Sequence, residues 1–317
     1  MASGGASEDD GLPDYRRLNA TFYSGDPAAY FERRLGLLLL AAARRDEVDA
    51  LLAEGVTFGG VTFRPTRAAD PERAADDESV LLAESLVLLH HASEALLRLF
   101  IAHVEYETCP WIAAAGLTNF KDFKGIVGTL AQEQWPDWLE SRIHFVFLGR
   151  PSSHDDPELA ALRAPLKELL TFLAGEVLED APVYNAAKHG MAVVPGVRTT
   201  SLEDPAGGFG IFTDGPSLLF LQTAWTGTWK NKERTYSEVV RWMTPARNLW
   251  LTQVVIQQLR ALWTVARARY AGGTVMQVDV VDPGWMDEMW NEGNGPAGGF
   301  HRVAHVVATE ARLPQGQ

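Results

Sequence analysis

The stretch Glu78 to Glu107 constrains the fold of this chain more than any other segment. At about 100° per residue, Leu82, Leu86, Leu89, Leu96, Leu97, Phe100 and Val104 fall on one wide apolar face. Glu84, His91, Glu94, Arg98 and Glu105 form a polar stripe on the opposite side. A long helix with one apolar face is held in place by tertiary packing of that face, not by its own propensity. The segment therefore predicts a helical bundle.

The rest of the chain fits that core. Asp26-Pro27 pairs an N-cap residue with a proline suited to the first helical position, and the helix is expected to run to about Glu54, before Gly55. Val56 to Phe63, interrupted by Gly59-Gly60, reads as a small hairpin. Helices are also expected near Phe120–Glu133, Trp138–Leu148 and Pro157–Leu178, with a short one from Pro182 to His189 closed by Gly190. Between Val193 and Arg234 the pattern turns to β: two strands about a turn at Asp214-Gly215-Pro216, then a hairpin from Trp225 to Tyr236 tipped by Lys230-Asn231-Lys232. Thr244-Pro245 opens a long helix to Tyr270, and Thr274 to Val281 reads as a strand. The expected class is mainly α, a helical bundle with a small antiparallel β insertion (α+β). Its expected parts are a flexible tail (1–13), a helix and hairpin (14–63), a charged linker (64–78), the bundle (79–271) with its insertion at about 193–236, and a Gly/Trp-rich C-terminal part (272–317).

Charge and cysteine usage narrow the function classes. A net charge of −13 over 317 residues argues against a broad nucleic-acid surface, which needs clustered Lys and Arg to displace counterions. A small basic site in an acidic body stays open. The lone Cys109 rules out an intramolecular disulfide framework and suits a reducing cytosol. No run approaches the ~20 apolar residues that span a bilayer, and no basic-then-apolar leader opens the chain, so the expectation is a cytoplasmic protein without a membrane partner. Seven tryptophans between Trp225 and Trp290 predict an aromatic core in the C-terminal third.

The richest chemistry lies in Tyr184-Asn185-Ala186-Ala187-Lys188-His189-Gly190. Asn185 and His189 are four apart and share a helix face; Tyr184 and Lys188 form a second such pair beside them. An imidazole at a helix C-terminus is favoured in its protonated form, which suits a general acid or a cation holding a phosphodiester. The same turn also reads as a C-cap in which His and Lys meet the last carbonyls.

Two other clusters compete with it. Arg98 and His103 match a ribonuclease signature as a string, but on a helix they diverge by about 140°, and Glu94 to Arg98 is an ordinary i,i+4 pair. His90, His91, Glu84 and Glu94 could converge as metal ligands, and His301 and His305 have zinc-helix spacing without the intervening Glu. A di-iron bundle would need Glu and His three apart on two helices, a pairing the sequence lacks. The glycine runs at Gly207–Gly210 and Gly293–Gly299 do not join a strand to a helix as phosphate loops do, and no serine-nucleophile motif is present. No metal or other cofactor is expected.

These features resemble the HEPN superfamily, helical bundles that often carry an Arg-polar-xxx-His ribonuclease motif. Asn185 and His189 match the polar and His positions, and the stripe of Glu84, His91 and Glu94 is similar to the family's arrangement; the resemblance covers roughly residues 79–195. It implies an RNA or nucleotide partner, a homodimer pairing two motifs, and a metal-independent endoribonuclease of the stress or defence kind. In that reading His189 is the acid/base, Asn185 orients it or contacts phosphate, and Lys188 or Arg98 stabilises charge. Tyr184, His91 and Glu94 then flank the substrate. The family's first motif residue is Arg, and here it is Tyr184. That departure favours the members that bind or scaffold without cleaving, in which the polar turn braces the bundle against the β segment.

Overall fold

The computed structural model describes residues 14–63, 73–117, 119–149, 157–188, 192–203, 210–228, 231–272, 277–281, 284 and 308–309. The expected 1–13 tail, most of the 64–78 linker, His189, the Gly293–Gly299 run, and His301 with His305 lie outside these residues. Along the chain come α1 (Tyr15–Phe22), α2 (Pro27–Ala43), α3 (Arg45–Glu54), β1 (Val56–Phe58), β2 (Val61–Phe63) and α4 (Arg73–Glu105). Next are α5 (Pro110–Gly116), α6 (Phe120–Ala131), α7 (Asp137–Glu140), α8 (Ile143–Leu148) and α9 (Pro157–Lys188). They are followed by β3 (Val193–Glu203), β4 (Gly210–Thr228), β5 (Asn231–Trp242), α10 (Pro245–Ala271) and β6 (Ala308–Thr309). The fold is mainly α with a small antiparallel sheet, as the periodicities predict.

The contacts divide the chain into two units. The first comprises residues 1–29, 95–174 and 257–281, and so holds α1, α5 to α8 and portions of α2, α4, α9 and α10. Its helix starts are capped by side chains: Asp14 Oδ1 accepts Arg17 N–H at 3.0 Å, Asp26 Oδ1 accepts Ala29 N–H at 3.1 Å, and Asn119 Oδ1 accepts Lys121 N–H at 3.2 Å. Leu97, Phe100, Phe123, Leu130, Leu139 and Phe147 are fully buried, and the rings of Phe100 and Phe147 stack with centroids 5.8 Å apart. Trp135 Nε1–H donates to Thr171 Oγ1 at 2.9 Å, so a half-polar ring is buried with its donor satisfied.

The second unit comprises residues 30–94, 175–256 and 282–317. Its sheet runs β3-β4-β5-β6, every neighbour antiparallel. Leu82 and Leu86 of α4, Val183 and Ala187 of α9, Val193 of β3, and Leu218 and Phe220 of β4 form one buried cluster with Met243. Leu218 and Phe220 are two apart and so share a sheet face, the one this cluster covers. Beyond the end of α9, Ala192 N–H donates to Ala186 O at 2.8 Å and ties the chain to the helix it has left.

Several local expectations are corrected. The single helix from Asp26 to about Glu54 is two, because Arg44 leaves helical geometry at φ −126°, ψ 39°; no Gly or Pro marks the break. Residues 210–228 form one strand with no turn at Asp214-Gly215-Pro216. Gly215, at φ 148°, continues the ladder opposite Arg198, and Pro216 lies just before β5 pairing begins at Ser217. A proline is tolerated there because the strand has a neighbour on one side only. Pro182 is no helix start: it lies inside α9, where the burial of Val177, Val183 and Tyr184 offsets a cost of about 3 kcal/mol for an interior proline. Residues 277–281 form no strand, since no described strand pairs with them.

The polar stripe of α4 is less exposed than its composition suggests. Glu84, His91, Glu94 and Arg98 are half-buried and Glu105 is exposed, while Leu82, Leu86, Leu89, Leu96, Leu97 and Phe100 on the opposite side are buried. By length and composition, residues 78–105 are apolar enough to cross a bilayer, with mean hydropathy 1.4, although no unbroken apolar run is that long. In the fold, 61% of that window is buried.

Candidate functional site

The expected polar turn is the last turn of α9, in the second unit. Its residues alternate in direction because 100° steps carry neighbours to different faces. Tyr184 and Ala187 point into the core, whereas Asn185 and Lys188 are exposed. Tyr184 stacks on His90 of α4, with ring centroids 3.9 Å apart and planes 17° from parallel. Lys188 Nζ lies 5.2 Å from the Tyr184 ring centroid, a cation over the same ring. His189 falls outside the described residues.

The stack gathers several of the expected residues. Burial holds His90 down to about 4, with the charges of His91 and Lys188 adding to the effect and Glu94 opposing it. His91 is also held below the ordinary histidine range, first by burial and then by Arg34 and Lys188. Its ring meets Phe31 edge-on at 5.0 Å and Tyr30 at 5.9 Å. Both imidazoles are thus neutral at pH 7. They are acceptors and packing surfaces, not phosphate-binding cations.

Arg98 belongs to the first unit, where its guanidinium donates to Leu117 O and lies 3.9 Å over the Phe123 ring. His103 is fully buried in the same unit. Leu99 O lies 2.6 Å from His103 Nδ1 and Tyr23 Oη lies 2.8 Å from Nε2. Burial holds His103 down to about 4, so the ring carries one proton. That proton sits on Nδ1, because a carbonyl can only accept, and Nε2 accepts the tyrosine hydroxyl. Arg98 and His103 therefore serve different neighbours. The ribonuclease-like string is not an assembled site.

The metal candidates separate as well. Glu84 pairs with Arg34 at 3.5 Å, and His90 is taken up by Tyr184. Among the described residues, no group of three or more His, Cys, Asp or Glu side chains is placed to hold a metal ion.

An ion cluster that the sequence reading missed lies in the second unit. Arg241 of β5 approaches Asp180 at 3.0 Å, Glu176 at 3.7 Å and Glu179 at 4.0 Å; Arg247 of α10 meets Glu176 at 2.9 Å. All but Glu179 are nearly buried. Three carboxylates compete for two guanidiniums. Burial pushes Asp180 up to about 7, with Glu176 and Glu179 adding to the rise and the two arginines opposing it. The signal was present: Glu176, Glu179 and Asp180 lie within four residues of each other on an otherwise apolar turn, and Arg241 stands between Val239-Val240 and Trp242.

A cavity of about 290 Å³ opens in the first unit between Asp26, Arg260, Trp263, Thr264 and Arg267. Trp263 is pinned there by its Nε1–H bond to Gly25 O at 2.8 Å. None of the candidate site residues read from the sequence lines it.

The fold and these sites define a helical-bundle protein with an antiparallel sheet. Comparison with family models, with curated proteins and with solved structures finds no match to the chain.

Proposed function

We propose that this chain is a non-catalytic interaction or scaffold protein built on a HEPN-like bundle. The observation that carries the reading is the Tyr184–His90 stack. The position where the HEPN motif has a phosphate-holding arginine is occupied by a buried aromatic ring. The neighbouring imidazole is held neutral at pH 7, and Arg98 is engaged by Leu117 O and Phe123. A turn of this kind braces α9 against α4.

A second reading is favoured by the exposure of Asn185 and Lys188 on the same turn. An amide and an ammonium there suit a phosphate, and with His189 as acid/base the protein would be a metal-independent endoribonuclease or an RNA- or nucleotide-binding protein.

Incubating labelled single-stranded RNA with wild type, Lys188→Ala and His189→Ala, in chelator and at low salt, separates the two. The scaffold reading expects no fragments from any of them and the same weak, salt-sensitive binding by all. Fragments from wild type that vanish with His189→Ala would overturn it in favour of the nuclease. Binding lost only with Lys188→Ala would overturn it in favour of an RNA-binding role.

A further inference from the structure

The hairpin β1–β2 leaves an apolar sheet face uncovered. Its register pairs Val56 with Phe63, Thr57 with Thr62 and Phe58 with Val61. Side chains alternate across a strand, so Val56, Phe58, Val61 and Phe63 share one face and the two threonines share the other. The threonine face is satisfied by its own bond, Thr57 Oγ1 to Thr62 Oγ1 at 2.8 Å. The apolar face is open: Phe58 is 88% exposed, Val61 72%, Phe63 58% and Val56 48%. Leu37, Leu39 and Leu40 of α2 and Leu51 of α3 are exposed as well, and α3 buries no side chain. A lone two-stranded hairpin is marginal in water and needs a covered hydrophobic face.

We infer that this face is a self-association surface whose occupant is the hairpin of a second copy of this chain. The pattern of the face is the first argument. Both strands read Val-Thr-Phe, so the antiparallel pairing sets Val opposite Phe in each rung and makes a checkerboard of small and large side chains. A second such face, turned about a two-fold axis, lays Phe over Val throughout, as an isologous contact requires. Two faces packed in this way form a sandwich with sheets about 10 Å apart.

Charge is the second argument. Residues 55–63 carry none, and residues 36–54 carry Arg44 and Arg45 against Asp46, Glu47, Asp49 and Glu54. A copy approaching here meets little repulsion even though the chain carries −13. An anionic lipid surface would repel the same acidic protein. This dimer is distinct from one that pairs the 184–189 turns, and it does not depend on how that turn is read.

The test is the solution mass of the full chain by light scattering over a concentration series. Wild type should give twice the chain mass of 34.8 kDa. Phe58→Glu should give the single-chain mass, with the dimer dissociation constant raised at least tenfold and the far-ultraviolet dichroism unchanged. Thr57→Glu, on the other face of the same strand, should leave the dimer intact and controls for general damage to the hairpin. A single-chain mass for wild type at tens of micromolar would overturn the inference, as would a Phe58→Glu dimer of unaltered affinity. So would a monomeric wild type that floats with vesicles of zwitterionic lipid, which would assign the face to a membrane surface.

Discussion

Tyr184 lies flat on His90, ring centroids 3.9 Å apart, and so joins the last turn of α9 to the middle of α4. The contact is one of shape and apolar area, because the imidazole beneath the phenol ring is held neutral by its burial. Tyr184→Phe keeps that area and should leave stability near wild type. Tyr184→Ala should cost about 3 kcal/mol, in the range for emptying a buried aromatic site, by chemical denaturation. Combining it with His90→Ala should show a coupling of about 1 kcal/mol. Strict additivity of the two changes would refute the stack as a brace.

Acid should destabilise the protein through two histidines. His90 and His103 are each held down to about 4 in the fold against an ordinary 6.5. Between those values the unfolded chain binds protons that the native state does not, so stability falls as pH drops from about 6.5 to about 4. His90→Asn should make that fall shallower. An unchanged slope in pH-dependent melting would count against a neutral, buried His90.

Asp180 works in the opposite sense. Its carboxyl is raised to about 7 in the fold from an ordinary 3.8, so between those values the native state holds the extra proton. Its contribution is present at low pH and is lost as pH rises through about 7. Asp180→Asn removes this opposing effect and should steepen the acid-side fall, a change that the same melting series reads directly.

Arg241 should be far less replaceable than Asp180. Arg241→Leu leaves Glu176 and Asp180 without their shared cation in a buried setting, and breaking a buried ion cluster on one side costs about 3–5 kcal/mol. If urea denaturation found Arg241→Leu as stable as wild type, the cluster would not be holding β5 to α9.

Cys109 is fully buried. A thiol reagent should therefore label it only after unfolding, with native-state labelling slower than in denaturant by orders of magnitude. Prompt labelling of native protein would show that the α5 start opens locally.

The sequence made some of this visible and hid the rest for physical reasons. The buried face of α4 was legible because Leu82, Leu86, Leu89, Leu96 and Leu97 repeat at helical spacing. Asp26 declared its N-cap through Pro27. The break at Arg44 was hidden because no residue there prefers a non-helical backbone. Pro216 was misleading, since its turn preference gave way to pairing with β3. At the polar turn, spacing showed which residues share a face but not which face the core covers. The direction of Tyr184 therefore emerged only with His90 beneath it.

The register of β4 carries a consequence for how the sheet tolerates change. Residues 210–220 pair with β3 and residues 217–228 with β5, so only Ser217 to Phe220 have a neighbour on both sides. Those four also supply Leu218 and Phe220 to the core. The strand is a beam clamped near its middle, with a two-stranded wing reaching out from each side of the clamp. Amide protons at the clamp should outlast those of the wings in hydrogen exchange. Added or deleted rungs at either wing tip leave the clamp untouched, so evolution can lengthen or shorten those wings at little cost to the bundle.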